Sequence, residues 1–194
     1  MGSVIFAIDR FGLLNAFSYG AGPPAGWQSP ELAGFPNLVP GSPIAAFAQS
    51  PTLFTVLAVD QSGAMNIGSF DAGGGWQDVD TIGESSFAPG SHITVLAGAS
   101  GAHVALLIDQ NGVFNVFTVD ASGVWEGPDS YGSAVFISGS PLLACALTAT
   151  QTSVGAVDRN GVLNIFTYDT TIGWSGPDTV GNSNFTAGSP MASL

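Results

Sequence analysis

An all-β fold, a β-propeller of four blades, is predicted by three observations in the 194-residue sequence. The tryptophans fall at 27, 76, 125 and 174, a step of 49 each time. The pairs Gly41-Ser42, Gly90-Ser91, Gly139-Ser140 and Gly188-Ser189 keep the same step. A two-strand phrase is written four times: "AIDRFGLLNAFSY" from Ala7, "AVDQSGAMNIGSFD" from Ala58, "LIDQNGVFNVFTVD" from Leu107 and "AVDRNGVLNIFTYD" from Ala156. Markers that hold one period set the copies in register, and four-stranded antiparallel units of ~40–50 residues read as propeller blades.

The third unit shows why each element is a strand. "SHITVLAGAS" (91–100) is the first, rich in the small residues that a crowded central axis admits. "HVALLID" (103–109) is the second, and Asp109-Gln110-Asn111-Gly112 is a tight turn with glycine where positive φ is needed. "VFNVFTVD" (113–120) is the third; strands two and three are apolar at nearly every position, as expected when both faces are covered by neighbouring blades. "VWEGPDSYG" (124–132) is the fourth, polar and carrying Pro128, as an exposed outer edge can. No useful window has a helical period.

The repeat divides the chain into units of approximately 1–41, 42–90, 91–139 and 140–188 within a single propeller domain. The chain opens on a second strand, "SVIFAID", and closes on a first strand, "SPMASL" (189–194), so strand exchange between the chain ends would complete the first blade. The same exchange between two chains would give a homodimer forming one eight-bladed ring.

Composition narrows the function. Two basic residues against fourteen acidic ones give a net charge of −12, which argues against nucleic acid and anionic membrane surfaces as partners. The absence of a basic leader or a long apolar run predicts a soluble chain with no signal peptide, transmembrane segment or membrane insertion. One cysteine, Cys145, cannot form an internal disulfide and reads as a small buried apolar group. His92 and His103 each occur in one unit, without a partner motif. There is no nucleophile elbow, phosphate loop, zinc-spaced cysteine pair or calcium loop, so no enzyme activity, cofactor or metal is expected.

What recurs is more informative. Asp9, Asp60, Asp109 and Asp158 begin the hairpin turns and are expected to hold their own turn amides. Asn15, Asn66, Asn115 and Asn164 sit inside the third strands, where a buried amide either ties strands or faces a pocket. Glu31, Asp80, Asp129 and Asp178 each follow a tryptophan by four residues and read as solvated edge charges. Trp27, Trp76, Trp125 and Trp174 open the polar fourth strands, either as anchors between blades or as platforms on which a sugar ring can stack.

The unit as a whole, seen in "AVDRNGVLNIFTYD", "GWSGPDTVG" and "FTAGSP" of the fourth copy and "LIDQNGVFNVFTVD", "VWEGPDSYG" and "FISGSP" of the third, resembles the repeat of bacterial propeller lectins of the Photorhabdus type. The resemblance implies repeated sugar sites between blades, for fucose or a related neutral monosaccharide, with glycans as partners. It places the sites at Trp27, Trp76, Trp125 and Trp174, with Phe70, Tyr168, Phe87, Phe136 and Phe185 beside them. This chain departs in having four repeats rather than seven, and Leu38 where the later units have Phe87, Phe136 and Phe185. The alternative is a propeller scaffold that binds a protein partner on one rim.

Overall fold

The computed structural model describes residues 3–20, 25–35, 37–83, 86–97, 102–133, 135–182 and 184–191. Among them there is no helix; every regular element is a strand. The first unit holds β1 (Val4–Ile8), β2 (Leu14–Gly20), β3 (Gly26–Trp27) and β4 (Glu31–Leu32). The second holds β5 (Ala45–Ala48), β6 (Leu53–Val59), β7 (Met65–Asp71) and β8 (Gly75–Ile82). The third holds β9 (Thr94–Ala97), β10 (His103–Ile108), β11 (Phe114–Val119) and β12 (Trp125–Tyr131), and the fourth β13 (Leu143–Ala146), β14 (Gln151–Val157), β15 (Leu163–Asp169) and β16 (Gly173–Val180).

Each later unit is an antiparallel sheet in which spatial order follows chain order, β5-β6-β7-β8 and its two copies. The first unit differs: β1 and β2 pair, and β2 is bordered by the two short strands β3 and β4. The outer pairs carry a register shift at one place, between Gly68 and Phe70, Val116 and Thr118, and Ile165 and Thr167. That bulge bends the edge strand away from regular pairing.

The core lies between sheets. Along β6, Val56 and Ala58 are buried against the first blade with Leu14, Phe35 and Leu38, while Leu57 and Val59 are buried against the third with Phe87, Leu107 and Phe117. Alternate residues thus face opposite neighbours, which is why these strands are apolar throughout. A third cluster, with Leu106, Phe114, Phe136, Val154 and Phe166, joins the last two blades. The inner strand β9 touches both β5 and β13, and Thr94 Oγ1 donates to the Leu142 carbonyl of the next blade at 2.8 Å. Cys145 is half-buried in β13, because the inner strand faces the axis on one side.

Both chain ends leave a blade face open. The inner strand expected from 189–194 pairs nowhere over 189–191, and 192–194 lie outside the described residues. On the first blade Ile5 is 52% exposed, although Val56, which occupies the same place in the second blade, is fully buried.

Candidate functional site

At each interior boundary a tryptophan packs against the cluster that its blade shares with the preceding one, beside the loop that follows that blade's outer strand. The loop is fixed by the hairpin turn beneath it. At the turns, Asp109 Oδ1 accepts from the Asn111 and Val113 amides at 2.8 and 2.9 Å, and Asp158 repeats this with Asn160 and Val162. The turn glycine is required: Gly112 has φ +82°, and a Cβ there would collide with the Phe136 carbonyl of the loop. The buried asparagines tie strands. Asn115 donates to the Val113 carbonyl and accepts from Ser130 of the outer strand at 2.8 Å; Asn66 does the same with Ala64 and Thr81.

A groove lies between the second and third blades. A cleft of about 400 Å³ is lined by Ser69, Asp78 and Asp80 on one wall and by Gly123, Val124 and Trp125 on the other. Trp125 is half-buried, tilted against Phe47 at 6.4 Å. Phe47 in turn stacks on His103 at 3.9 Å. A smaller cleft of about 220 Å³ lies towards the β11–β12 turn, lined by Gln49, His103, Asp120 and Ser122. Towards the other end, Asp109, Asn115, Pro128 and Ser130 line a shallow hollow of about 550 Å³. An apolar indole opposite two carboxylates and a hydroxyl offers a face for C–H groups and acceptors for hydroxyls.

The other tryptophans sit differently. Trp174 lies against Tyr131, Tyr168 and Phe114 at 5.8, 5.2 and 5.5 Å. Burial, then the nearby Asp129 and Tyr168, raises the Tyr131 phenol above its ordinary pKa, so it remains a hydrogen-bond donor at neutral pH. Trp76 is boxed by Phe6, Phe35 and Phe70, and its Nε1 donates to the Glu31 carbonyl at 3.1 Å. Trp27 is 52% exposed on the open face of the first blade, 5.5 Å from Tyr19.

The aromatic residues expected beside the tryptophans divide in two. Tyr168 is half-buried and touches Trp174. Phe70, Phe87 and Phe136 are at most 1% exposed and lie beneath the grooves rather than in them. The physical reason is the two-sided packing of the blades: the loop phenylalanines are covered by Phe117 and Phe166 of the following blade. Phe185, at the same position in the last blade, is 51% exposed. Ser69, Asp78, Tyr131, Phe47 and His103 enter the grooves without a repeat-wide marker. Asp80, expected as a solvated edge charge, is exposed yet lines the cleft.

Turn carboxylates set an acid limit on the fold. The Thr171 hydroxyl, the Thr171 amide and the Gln151 side chain hold Asp169 down from an ordinary 3.8 to about 2. The Ser122 hydroxyl and the Val124 amide lower Asp120 likewise. At Asp60 burial pushes upward, but bonds from Ser62 and Asn66 outweigh it. A depressed folded pKa adds stability above the unfolded value, and that stability is lost as pH falls towards the folded one. The melting temperature is therefore expected to drop between pH 4 and 2, and less steeply in Asp169→Asn, which keeps an acceptor but takes up no proton. Parallel curves for the two proteins would remove this carboxylate from the account.

The comparisons with known proteins follow the same geometry. No protein-family model matches the sequence, and no curated protein matches it. Solved structures do. The BP39L lectin from Burkholderia pseudomallei superposes with a TM-score of 0.86 at 26% identity, over 96% of this chain and 54% of that one. The chain has the fold of the β-propeller lectins. A fungal lectin from Aleuria aurantia, described as a six-bladed β-propeller with a novel mode of fucose recognition, matches with a TM-score of 0.61 at 14% identity, over 94% and 55% of the two chains. The SapL1 lectin, solved with α-methyl fucoside, matches at 0.58 and 18% identity, over 93% and 62%. The chain thus spans about half the length of the lectins it superposes on. Among the described residues no helix is long and apolar enough to cross a membrane, and no group of three or more His, Cys, Asp and Glu could hold a metal ion.

Proposed function

We propose that this chain is a carbohydrate-binding lectin that takes a neutral monosaccharide, fucose or a close relative, in the grooves between its blades. The observation that carries the reading is the cleft in which half-buried Trp125 faces Ser69, Asp78 and Asp80 across a blade boundary. An indole stacks on the apolar face of a pyranose while the carboxylates accept from its hydroxyls, and no ionised partner is needed on the ligand. Support comes from the BP39L lectin and from the lectins solved with fucosides, whose fold this chain shares. The site requires no metal and no bond is broken in it. The protein-partner scaffold is less favoured, since a single partner on one rim would not call for a tryptophan at every boundary. The functional unit is a single propeller domain that a second copy completes, the last residues of each chain lending an inner strand to the first blade of the other.

Calorimetric titration with α-methyl fucoside is expected to show several weak sites, and Trp125→Ala to remove one of them without moving the others, because separate grooves share no partners. An unchanged number of sites in a folded Trp125→Ala protein would return the residue to a packing role. No heat with fucose or any sugar on a broad panel would favour the scaffold.

A further inference from the structure

We infer that a second copy of this chain seats the open face of its fourth blade on the open face of the first blade, so that each seam repeats an interior blade boundary and builds a groove from two subunits. Three features recur at the interior boundaries and stop at the two ends.

The first is the clasp. The residue after each turn aspartate reaches back to the loop of the preceding blade. Gln110 donates from its amide N to the Ser86 carbonyl at 2.8 Å and from its side chain to the Phe87 carbonyl at 2.7 Å. Gln61 makes the same two bonds to Asn37 and Leu38, at 2.9 and 3.3 Å. Arg159 makes them to Val135 and Phe136, at 2.9 and 3.2 Å. At this position of the first blade stands Arg10, its guanidinium 4.6 Å from the ring centre of Phe11. The matching carbonyls at the far end are those of Asn184 and Phe185. The chain has two basic residues in all, Arg10 and Arg159, and both occupy the clasp position.

The second feature is the loop side chain. Leu38, Phe87 and Phe136 are at most 1% exposed because a following blade covers them, whereas Phe185 is 51% exposed. The third is the Gly-Ser pair. Gly90, Gly139 and Gly188 lie against Ser42, Ser91 and Ser140, the serines of the preceding Gly-Ser pairs, but a Cβ on Gly41 would meet nothing within 4 Å. What the first blade lacks is what the fourth blade presents, so the fitting partner is a copy of the chain itself. The arc is open: it superposes with a TM-score of 0.86 on 54% of a longer propeller lectin, so its four blades do not close on themselves. Two head-to-tail contacts related by a two-fold axis then close the ring.

At the seam Trp27 takes the place that Trp125 holds inside the chain, and Thr167 and Asp178 of the partner subunit take the places of Ser69 and Asp80. That this seam groove binds sugar rests on the lectin reading; the seam itself rests on packing and hydrogen bonds alone.

Light scattering behind size exclusion tests it. The wild type is expected at twice the 19.6 kDa of one chain. Arg10→Glu, which can only accept, should halve the mass with the β-sheet circular dichroism unchanged. Arg10→Gln should keep the full mass, since glutamine makes the clasp at two interior boundaries. Phe185→Asp is a second, independent disruption of the same seam. A wild type at any other mass, or Arg10→Glu and Phe185→Asp both at the two-chain mass, overturns the proposal. Titration with α-methyl fucoside separates the two readings. A two-chain wild type that takes no sugar fails the lectin and leaves the seam standing. A sugar-binding dimer whose stoichiometry is unmoved by Trp27→Ala overturns the shared site.

Discussion

Phe136→Ala is expected to lower the free energy of unfolding by about 3–5 kcal/mol, the range for emptying a buried phenylalanine site. For a chain of this size that is a fall of roughly 6–20 °C in melting temperature. Phe136 is 1% exposed and packs 6.1 Å from Phe166 of the next blade, within a cluster that includes Phe114, Leu142 and Val154. Its backbone is equally committed: its amide donates to the Gly112 carbonyl at 3.1 Å and its carbonyl accepts from Arg159 at 3.2 Å. The side chain therefore anchors a loop that joins two blades, and the cavity cannot close without moving the clasp. Thermal melts followed by circular dichroism measure the effect. A shift no larger than that of an exposed control such as Val124→Ala would mean that the loop is a bystander to blade packing. The same truncation at Phe185 is expected to leave the melting of an isolated chain nearly unchanged, because half of that side chain is already in solvent.

How far the fold could be read from the sequence follows from what repeats. The turn aspartates, the glycines after them and the apolar second and third strands are dictated by local backbone and two-sided burial, and each appears four times in the text of the chain. Strand limits in the third unit were legible to within a residue or two, except that the inner strand begins at Thr94 rather than Ser91 and is described to Ala97, with 98–100 outside the described residues. Compensation between units was not legible. Leu38 looks like a degraded copy of Phe87 and Phe136, yet Leu38 is fully buried. The missing volume is supplied by Phe35, whose ring lies where a Cβ on Gly68 would have to go. Gly68 itself stands where Phe117 and Phe166 stand in the later blades. Two departures that seem independent in the sequence are one exchange of volume across a boundary. The candidate site was legible only as the tryptophan ladder; the carboxylate four residues on reads in the sequence as an edge charge, although Asp80 lines the Trp125 cleft. Ser69 and Asp78 reach the Trp125 cleft, and Phe47 packs against its indole, through folding across a boundary, and no spacing within a unit marks them.

Attachment to a surface dense in fucosides is expected to exceed binding to free α-methyl fucoside by about two to four orders of magnitude, the gain that linked weak sites produce when geometry allows them to engage together. The grooves are shallow and partly filled by packing, so each alone should hold a monosaccharide weakly. Repetition around an arc points successive sites outward at different angles, and a crowded glycan layer can meet more than one. The enhancement should therefore fall in steps. Trp125→Ala is expected to cost part of it, and the double change Trp125→Ala with Trp174→Ala most of it, while the affinity of each surviving groove for free sugar stays constant. Trp76 should contribute least, because its indole is enclosed by Phe6, Phe35 and Phe70 and its N–H is already bonded to the Glu31 carbonyl. A chelator should leave the surface signal intact, since acceptors on this chain and not a cation would hold the hydroxyls. Surface plasmon resonance on chips of high and low fucoside density reads the effect directly. Equal apparent affinity at the two densities would show that the sites do not act together. The four copies would then serve blade packing alone, and the reason for repeating the tryptophan would lie in the core rather than in the ligand.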